Sequence, residues 1–185
     1  MRQGPEAANG TRRDSTGEIR RDSAEARADE GAERWALLYE QLRPNLVRAL
    51  AAACGTYEGV EDAIQDAFAT ALRQAPADLR SPEAWLFVVA LNAIRGHHRR
   101  TRLLARLRLA PPPQPNDLDE ALVRADVVAT LARLSARERD LLVAKYYVGM
   151  TQDELAKAMG MPRGTVASAV SRAAARFREL DKSSG

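Results

Sequence analysis

Three consecutive prolines at 111–113, with another at 115, stop any helix and favour extended backbone across residues 110–118. No regular element crosses that break, so the chain has to fold as two blocks. Aromatic residues make up 5% of the composition, β-branched runs are few, and Ala, Leu, Arg, Asp and Glu dominate. That balance favours helix over sheet. Residues 1–32 mix charges with Gly, Ser and Thr and carry too few large apolar side chains to offset the entropy of ordering them. The expected fold is all-α. It has two small helical domains joined by a Pro-rich linker, the second a helix-turn-helix, behind a disordered N-terminal extension. The expected boundaries are 1–32 for the extension, 33–102 for the first domain, 103–122 for the linker and 123–182 for the second domain.

In the first block Trp35, Leu38, Tyr39, Leu42, Leu46 and Leu50 fall at helical spacing, with Pro44 as a kink or restart. On the next helix Val60, Ala63, Ile64, Ala67, Phe68, Ala71 and Leu72 form a core-facing stripe. The other side carries Glu58, Glu61, Asp62, Gln65 and Asp66. Like charges at i, i+4 repel, so this face gains nothing within its own helix. It is either a solvated surface or a dock for a basic partner. Ser81-Pro82-Glu83 then supplies a helix start, with a side-chain acceptor, a proline at the first helical position and an early acid. The helix runs apolar from Ala84 to Ile94 and ends in Arg95-Gly96-His97-His98-Arg99-Arg100-Thr101-Arg102. Cations suit a helix C-terminus. Asn92 does not suit an apolar turn, and its amide needs a hydrogen-bond partner inside the protein or outside it.

The second block carries two explicit helix starts. Ser135-Ala136-Arg137-Glu138 and Thr151-Gln152-Asp153-Glu154 both fit the capping box. They predict helices over about 120–133, 136–147 and 152–159, then a turn at Gly160-Met161-Pro162 and a last helix from about 163 to 179. A short helix, a three-residue turn with glycine and a longer helix make a helix-turn-helix. Val166, Val170, Ala173 and Phe177 form the inward stripe of the last helix, while Thr165, Ser168, Ala169, Arg172 and Arg176 face outward. Short hydroxyls and arginines at the start of such a helix can reach base edges and phosphates in the major groove.

Charge is uneven along the chain. Residues 84–116 carry six arginines and no acid, whereas residues 34–83 carry five arginines against seven acids. Neighbouring stretches of opposite sign suggest two partners of opposite sign, with nucleic-acid phosphate suited to the basic one. The single Cys54 excludes an internal disulfide and a cysteine-built metal site, and it fits a reducing cytosol. His97 and His98 are adjacent, so they point to different faces, and no third ligand is in sight; no metal site is expected. No stretch approaches the ~20 apolar residues that span a bilayer, and no hydrophobic signal core stands at the N-terminus. A cytoplasmic protein without a membrane partner is expected. No nucleophile–base set, metal cluster or nucleotide loop is present, so neither catalytic residues nor a cofactor are expected.

Both blocks resemble the extracytoplasmic-function (ECF) group of bacterial RNA polymerase sigma factors. Glu61-Asp62-Ala63-Ile64-Gln65-Asp66-Ala67-Phe68 is similar to that family's acidic segment, which docks on the clamp helices of the polymerase largest subunit. The resemblance implies core-polymerase contacts at Glu61, Asp62, Gln65 and Asp66. Trp85-Leu86-Phe87-Val88-Val89-Ala90-Leu91-Asn92 resembles the segment that reads the −10 element. It implies −10 DNA contacts at Trp85, Asn92, Arg95, Arg99 and Arg100, in keeping with a positive groove that holds splayed single-stranded bases. Leu134 to Arg139, Thr151 to Ala156 and Gly160 to Val166 resemble the −35-binding domain. That implies duplex contacts at Arg163, Thr165, Ser168, Ala169, Arg172 and Arg176. The implied partners are core RNA polymerase through its beta and beta-prime subunits, promoter DNA both duplex and melted, and an anti-sigma factor such as family members often have. The implied function is promoter-specific initiation, with recognition of −35 and −10 elements and help in melting.

Three positions depart from the family. Lys or Arg is common where this chain has Ala167 and Ala169, and a basic residue is frequent where it has Leu91. The expected consequences are a weaker −35 grip or an unusual sequence preference, and less help for Asn92. The alternative is a free-standing helix-turn-helix regulator, because LuxR-type DNA-binding domains share the pattern of the second block alone.

Overall fold

The computed structural model describes the backbone of residues 15–76, 79–108 and 125–183, and the side chains of residues 31–76, 79–100 and 126–183. Helix α1 (Ser15–Cys54), α2 (Val60–Gln74) and α3 (Pro82–Arg108) form the first unit. Helices α4 (Ala125–Ala132), α5 (Ala136–Leu142), α6 (Gln152–Met159) and α7 (Arg163–Lys182) form the second, with one π-helical stretch at Val143–Tyr147 between α5 and α6.

Two helices run past their expected ends. Helix α1 continues back to Ser15, into the segment read as a disordered extension, and passes through Pro44 without restarting. Residues 15–34 are rich in Ala, Glu and Arg. Good helix formers that could not nucleate alone can extend a helix anchored by a packed C-terminal half, because propagation avoids the cost of nucleation. Residues 1–14 of the extension lie outside the described residues. Helix α3 likewise continues through Gly96 to Arg108, beyond the boundary expected at 102. The prolines themselves, with the rest of the linker from 109, also lie outside the described residues.

The first unit packs α1, α2 and α3 around Leu46, Leu50, Ile64, Leu86, Phe87 and Ile94, all buried. Trp35 and Tyr39 meet Phe68 edge-on, with ring centroids 6.0 and 5.0 Å apart, and so tie the middle of α1 to α2. The stripe read on α2 is buried as far as Ala71, but Leu72 is 56% exposed. Seven residues make nearly two full turns, so Leu72 lies below Gln65 on the outer face instead. Ser81 caps α3 as expected, its Oγ accepting the Ala84 N–H at 3.2 Å.

The second unit closes over Leu131, Leu141, Leu142, Leu155, Val166, Val170 and Ala173. Both capping boxes form. The Ser135 N–H donates to Glu138 Oε2 at 2.9 Å while the Glu138 N–H donates to Ser135 Oγ at 3.3 Å. Thr151 and Glu154 repeat the exchange at 2.8 and 3.2 Å. After α6 the chain turns at Gly160, whose φ of 60° and ψ of 37° lie in the left-handed region that a side chain would strain.

Replacement of Ser135 or Thr151 by Ala costs about 1 kcal/mol each, read as lowered urea midpoints. The hydrogen bonds from Ser135 and Thr151 hold the Glu138 and Glu154 carboxyls below the ordinary glutamate range. A depressed native value means the stabilisation is complete above the unfolded value and is lost as pH falls through the native one. Thermal melts in acid therefore show a smaller drop for Glu138→Gln than for the wild type.

Candidate nucleic-acid interface

On α2 the core stripe turns Asp62, Gln65 and Asp66 outward, and all three are exposed. Glu61, half-buried, is held by Arg43 of α1, which donates from Nε at 3.1 Å and from a terminal nitrogen at 2.5 Å. These four residues therefore split, with Glu61 neutralised within the unit and Asp62, Gln65 and Asp66 open to solvent. Glu61 and Asp62 also stand in the first turn of α2, where the helix dipole favours them.

Helix α3 sets its apolar residues inward and leaves Asn92 on the surface, directly after the buried Leu91. The amide is thus open to solvent and needs no buried partner. Trp85 and Val88, a turn and more before it, are half-buried. Arg99 and Arg100 are exposed beyond it. Arg95 is different: it forms an ion pair with Asp140 of α5, whose carboxylate is wholly buried. Neither Asp140 oxygen makes a hydrogen bond among the described residues. Burial pulls the Arg95 guanidinium below its ordinary value, opposed by Cys54 and assisted by Arg139.

In the helix-turn-helix, Arg163, Thr165, Ser168, Arg172 and Arg176 are exposed along α7, while Ala169 is half-buried against the core. Arg163 lies 3.3 Å from the exposed Asp153, and Arg176 lies 4.0 Å from the half-buried Glu138, pairs that hold the two arginines only loosely. The Ser168 hydroxyl donates back to the Thr165 carbonyl at 3.0 Å, so its oxygen still has a lone pair to offer.

Residues 38–103 match the family described as Sigma-70 region 2, and residues 124–177 match Sigma-70, region 4. The chain is 29% identical over 140 residues to the ECF RNA polymerase sigma factor SigL of Mycobacterium tuberculosis, covering 71% of this chain and 79% of that one. It is 30% identical over 155 residues to the RNA polymerase sigma factor NccH of Alcaligenes xylosoxydans xylosoxydans, covering 74% and 83%. The chain belongs to the ECF group of RNA polymerase sigma factors. Its function is therefore to bind core polymerase and promoter DNA and to direct transcription initiation, and the region 2 match disfavours a free-standing regulator. In solved structures, the sigma factor RpoE in complex with the anti-sigma factor NepR from Bartonella quintana shares the fold. Its TM-score is 0.72 at 22% identity, over 81% of this chain and 98% of that one. CnrH in complex with the cytosolic domain of CnrY gives a TM-score of 0.58 at 28% identity, over 86% and 96%.

Two of this sigma factor's departures from the family have packing causes. Leu91 is 3% exposed and Ala169 rests on the core, so neither position offers a long cationic side chain a free path to DNA. Three features escaped the sequence reading. Arg43, the partner of Glu61, looks like any surface arginine in its own helix. Asp140 gave a signal that could have been read, a carboxylate opening the apolar run Leu141-Leu142-Val143-Ala144. The π-helical stretch gave none, since Val143–Tyr147 reads as a plain continuation of the α-helix before it and no residue type in it marks the wider turn.

Leu91→Arg, which restores a residue type frequent in the family, destabilises this sigma factor by at least about 2 kcal/mol, the low end for emptying a buried leucine site. The measurement is a urea melt, and an unchanged midpoint would show that the position has room for the cation.

Proposed function

We propose that this sigma factor divides its work among three surfaces. Asp62, Gln65 and Asp66, with Glu61 beside them, bind the basic clamp region of core polymerase. Trp85, Asn92, Arg95, Arg99 and Arg100 bind the −10 element and hold the melted strand. Arg163, Thr165, Ser168, Arg172 and Arg176, with Ala169 as an apolar contact, bind the −35 duplex. The single observation that carries the division is the pair Leu91–Asn92: one residue buried, the next exposed, on a helix that turns arginines out beyond it. An exposed amide flanked by small and apolar groups suits capture of an unstacked base, whose edge offers donors and acceptors.

In this reading residues 33–102 act as sigma region 2, 103–122 as the linker near the RNA path, and 123–182 as sigma region 4. The protein works in the cytoplasm by binding and carries out no covalent step. No described helix is long and apolar enough to cross a membrane. Opening a few base pairs costs several kcal/mol, at about 1.4 per stacked step, and binding of the unstacked bases offsets part of it. An anti-sigma factor is a further expected partner, since the structural relatives were solved with NepR and with CnrY.

Leu72 adds to the docking face. It is exposed below Gln65, an apolar end to an acidic surface. Burial of such an apolar side chain against a partner adds to affinity, while rim charges steer approach and set its salt dependence.

The test is abortive transcription with purified core polymerase. Wild type starts specific transcripts, Asp62→Lys loses core binding, and Asn92→Ala binds core but fails at the promoter. An Asn92→Ala variant with full promoter activity overturns its assignment. Leu72→Ala weakens core binding about fivefold, or roughly 1 kcal/mol, with an unchanged melting temperature. A lowered melting temperature would mean instead that Leu72 belongs to the core.

A further inference from the structure

Beside the face of α7 that carries Ser168 and Arg172 lies a groove of about 320 Å³ that the −35 reading leaves unused. Its wall on α7 is formed by Ala167, Ser171, Ala174 and Arg178, whose spacing aligns them in one stripe. Ala167 and Ser171 directly precede Ser168 and Arg172 in the chain, so the two stripes adjoin. Across the groove stand Lys145 of the π-helical stretch and Gln152, the first residue of α6. Among the described residues two cations line this groove and no acid does.

Both cations are held in place with donors to spare. Lys145 Nζ donates to the Met150 carbonyl at 3.2 Å, and an ammonium has two further N–H groups. Arg178 Nε donates to the Ala174 carbonyl at 3.2 Å, which draws the side chain back along α7 and commits one of its five donors. Neither forms an ion pair among the described residues. Gln152 and Ser171 are exposed beside them and carry side chains that also donate to phosphate oxygens.

We propose that Lys145 and Arg178 hold the phosphate backbone of the −35 duplex across this groove and supply the charge that α7 lacks at Ala167 and Ala169. The inference rests on the reading of α7 as the −35 helix. The side chain of Ala167 ends at Cβ, so position 167 opens the groove where a long cation would fill it. A strand entering between the two walls meets a cation on each. Phosphates border the major groove while base edges lie on its floor, so a backbone held here brings base edges toward Ser168 and Arg172. Contacts to phosphate carry affinity and register but no sequence information directly. The grip expected to be weak at positions 167 and 169 is thereby moved to the edges of the groove, and sequence preference stays with the adjoining stripe.

The test uses holoenzyme assembled from the full chain and core polymerase. Its DNA is a promoter fragment that the wild-type holoenzyme selects from a random pool, and the same fragment with its −35 element shuffled. Binding is measured at several salt concentrations. Lys145→Gln and Arg178→Gln each flatten the slope of log K against log salt by about one, and each weakens binding to both fragments by the same factor. Arg172→Gln instead narrows the preference for the selected fragment. Lys182→Gln, which removes an exposed cation from the last turn of α7, does neither. Lys145→Arg keeps the wild-type slope, which separates loss of charge from loss of the bond to Met150. Ala167→Lys added to Arg178→Gln restores the slope, because the new ammonium enters the same groove. A wild-type slope in Lys145→Gln, in Arg178→Gln or in both overturns the proposal, and the reading of α7 survives if Arg172→Gln still narrows the preference. An Arg172→Gln holoenzyme with full preference overturns that reading and the proposal with it.

Discussion

A three-helix unit with few aromatic side chains buries a core only if its helices come close together, and here alanine makes that approach possible. Ala49, Ala53, Ala63, Ala67, Ala71, Ala84 and Ala90 are all buried at the contacts of α1, α2 and α3. Small side chains at a helix contact let the axes approach closely, and a larger side chain there overpacks it. With the register fixed, the outward faces follow. Asp62, Gln65 and Asp66 point away because Ala63, Ile64 and Ala67 point in, and Asn92 is exposed because Leu91 is not.

Charges on these faces differ in what the protein already asks of them. Glu61 is engaged by Arg43, and Arg95 by Asp140. Arg163 and Arg176 are themselves exposed and pair at 3.3 and 4.0 Å, contacts worth about 0–1 kcal/mol that are given up at little cost. The arginine with the most constrained partner is the one at the junction of the two units.

Much of this was legible in the sequence because local rules agreed with one another. Ser81, Ser135 and Thr151 each sit where a cap has to be, and the observed helix starts at Pro82, Ala136 and Gln152 follow from them. The burial pattern of α2 follows from periodicity until its last turn, where Leu72 falls on the outer side. Helix length was less legible. Composition alone argued that residues 15–32 could not order themselves, but a helix already anchored at Leu46 and Leu50 needs no new nucleus. Contacts between the units were not legible at all. Arg139 satisfies a carbonyl 86 residues earlier, and no spacing within either block records that.

The acidic face of α2 shows why one signal in the sequence admitted two readings. Repelling carboxylates on an isolated helix are a cost, and a solvated face was as good an account as a dock. The structure separates the residues: the acids in the first turn have a dipole to complement, and Glu61 has Arg43, but Asp66 stands a full turn further on with neither. An exposed leucine ends the same face. Charge alone would give a partner a direction of approach and a strong sensitivity to salt, with little to hold it once there. Charge with an apolar terminus would give a partner both approach and residence.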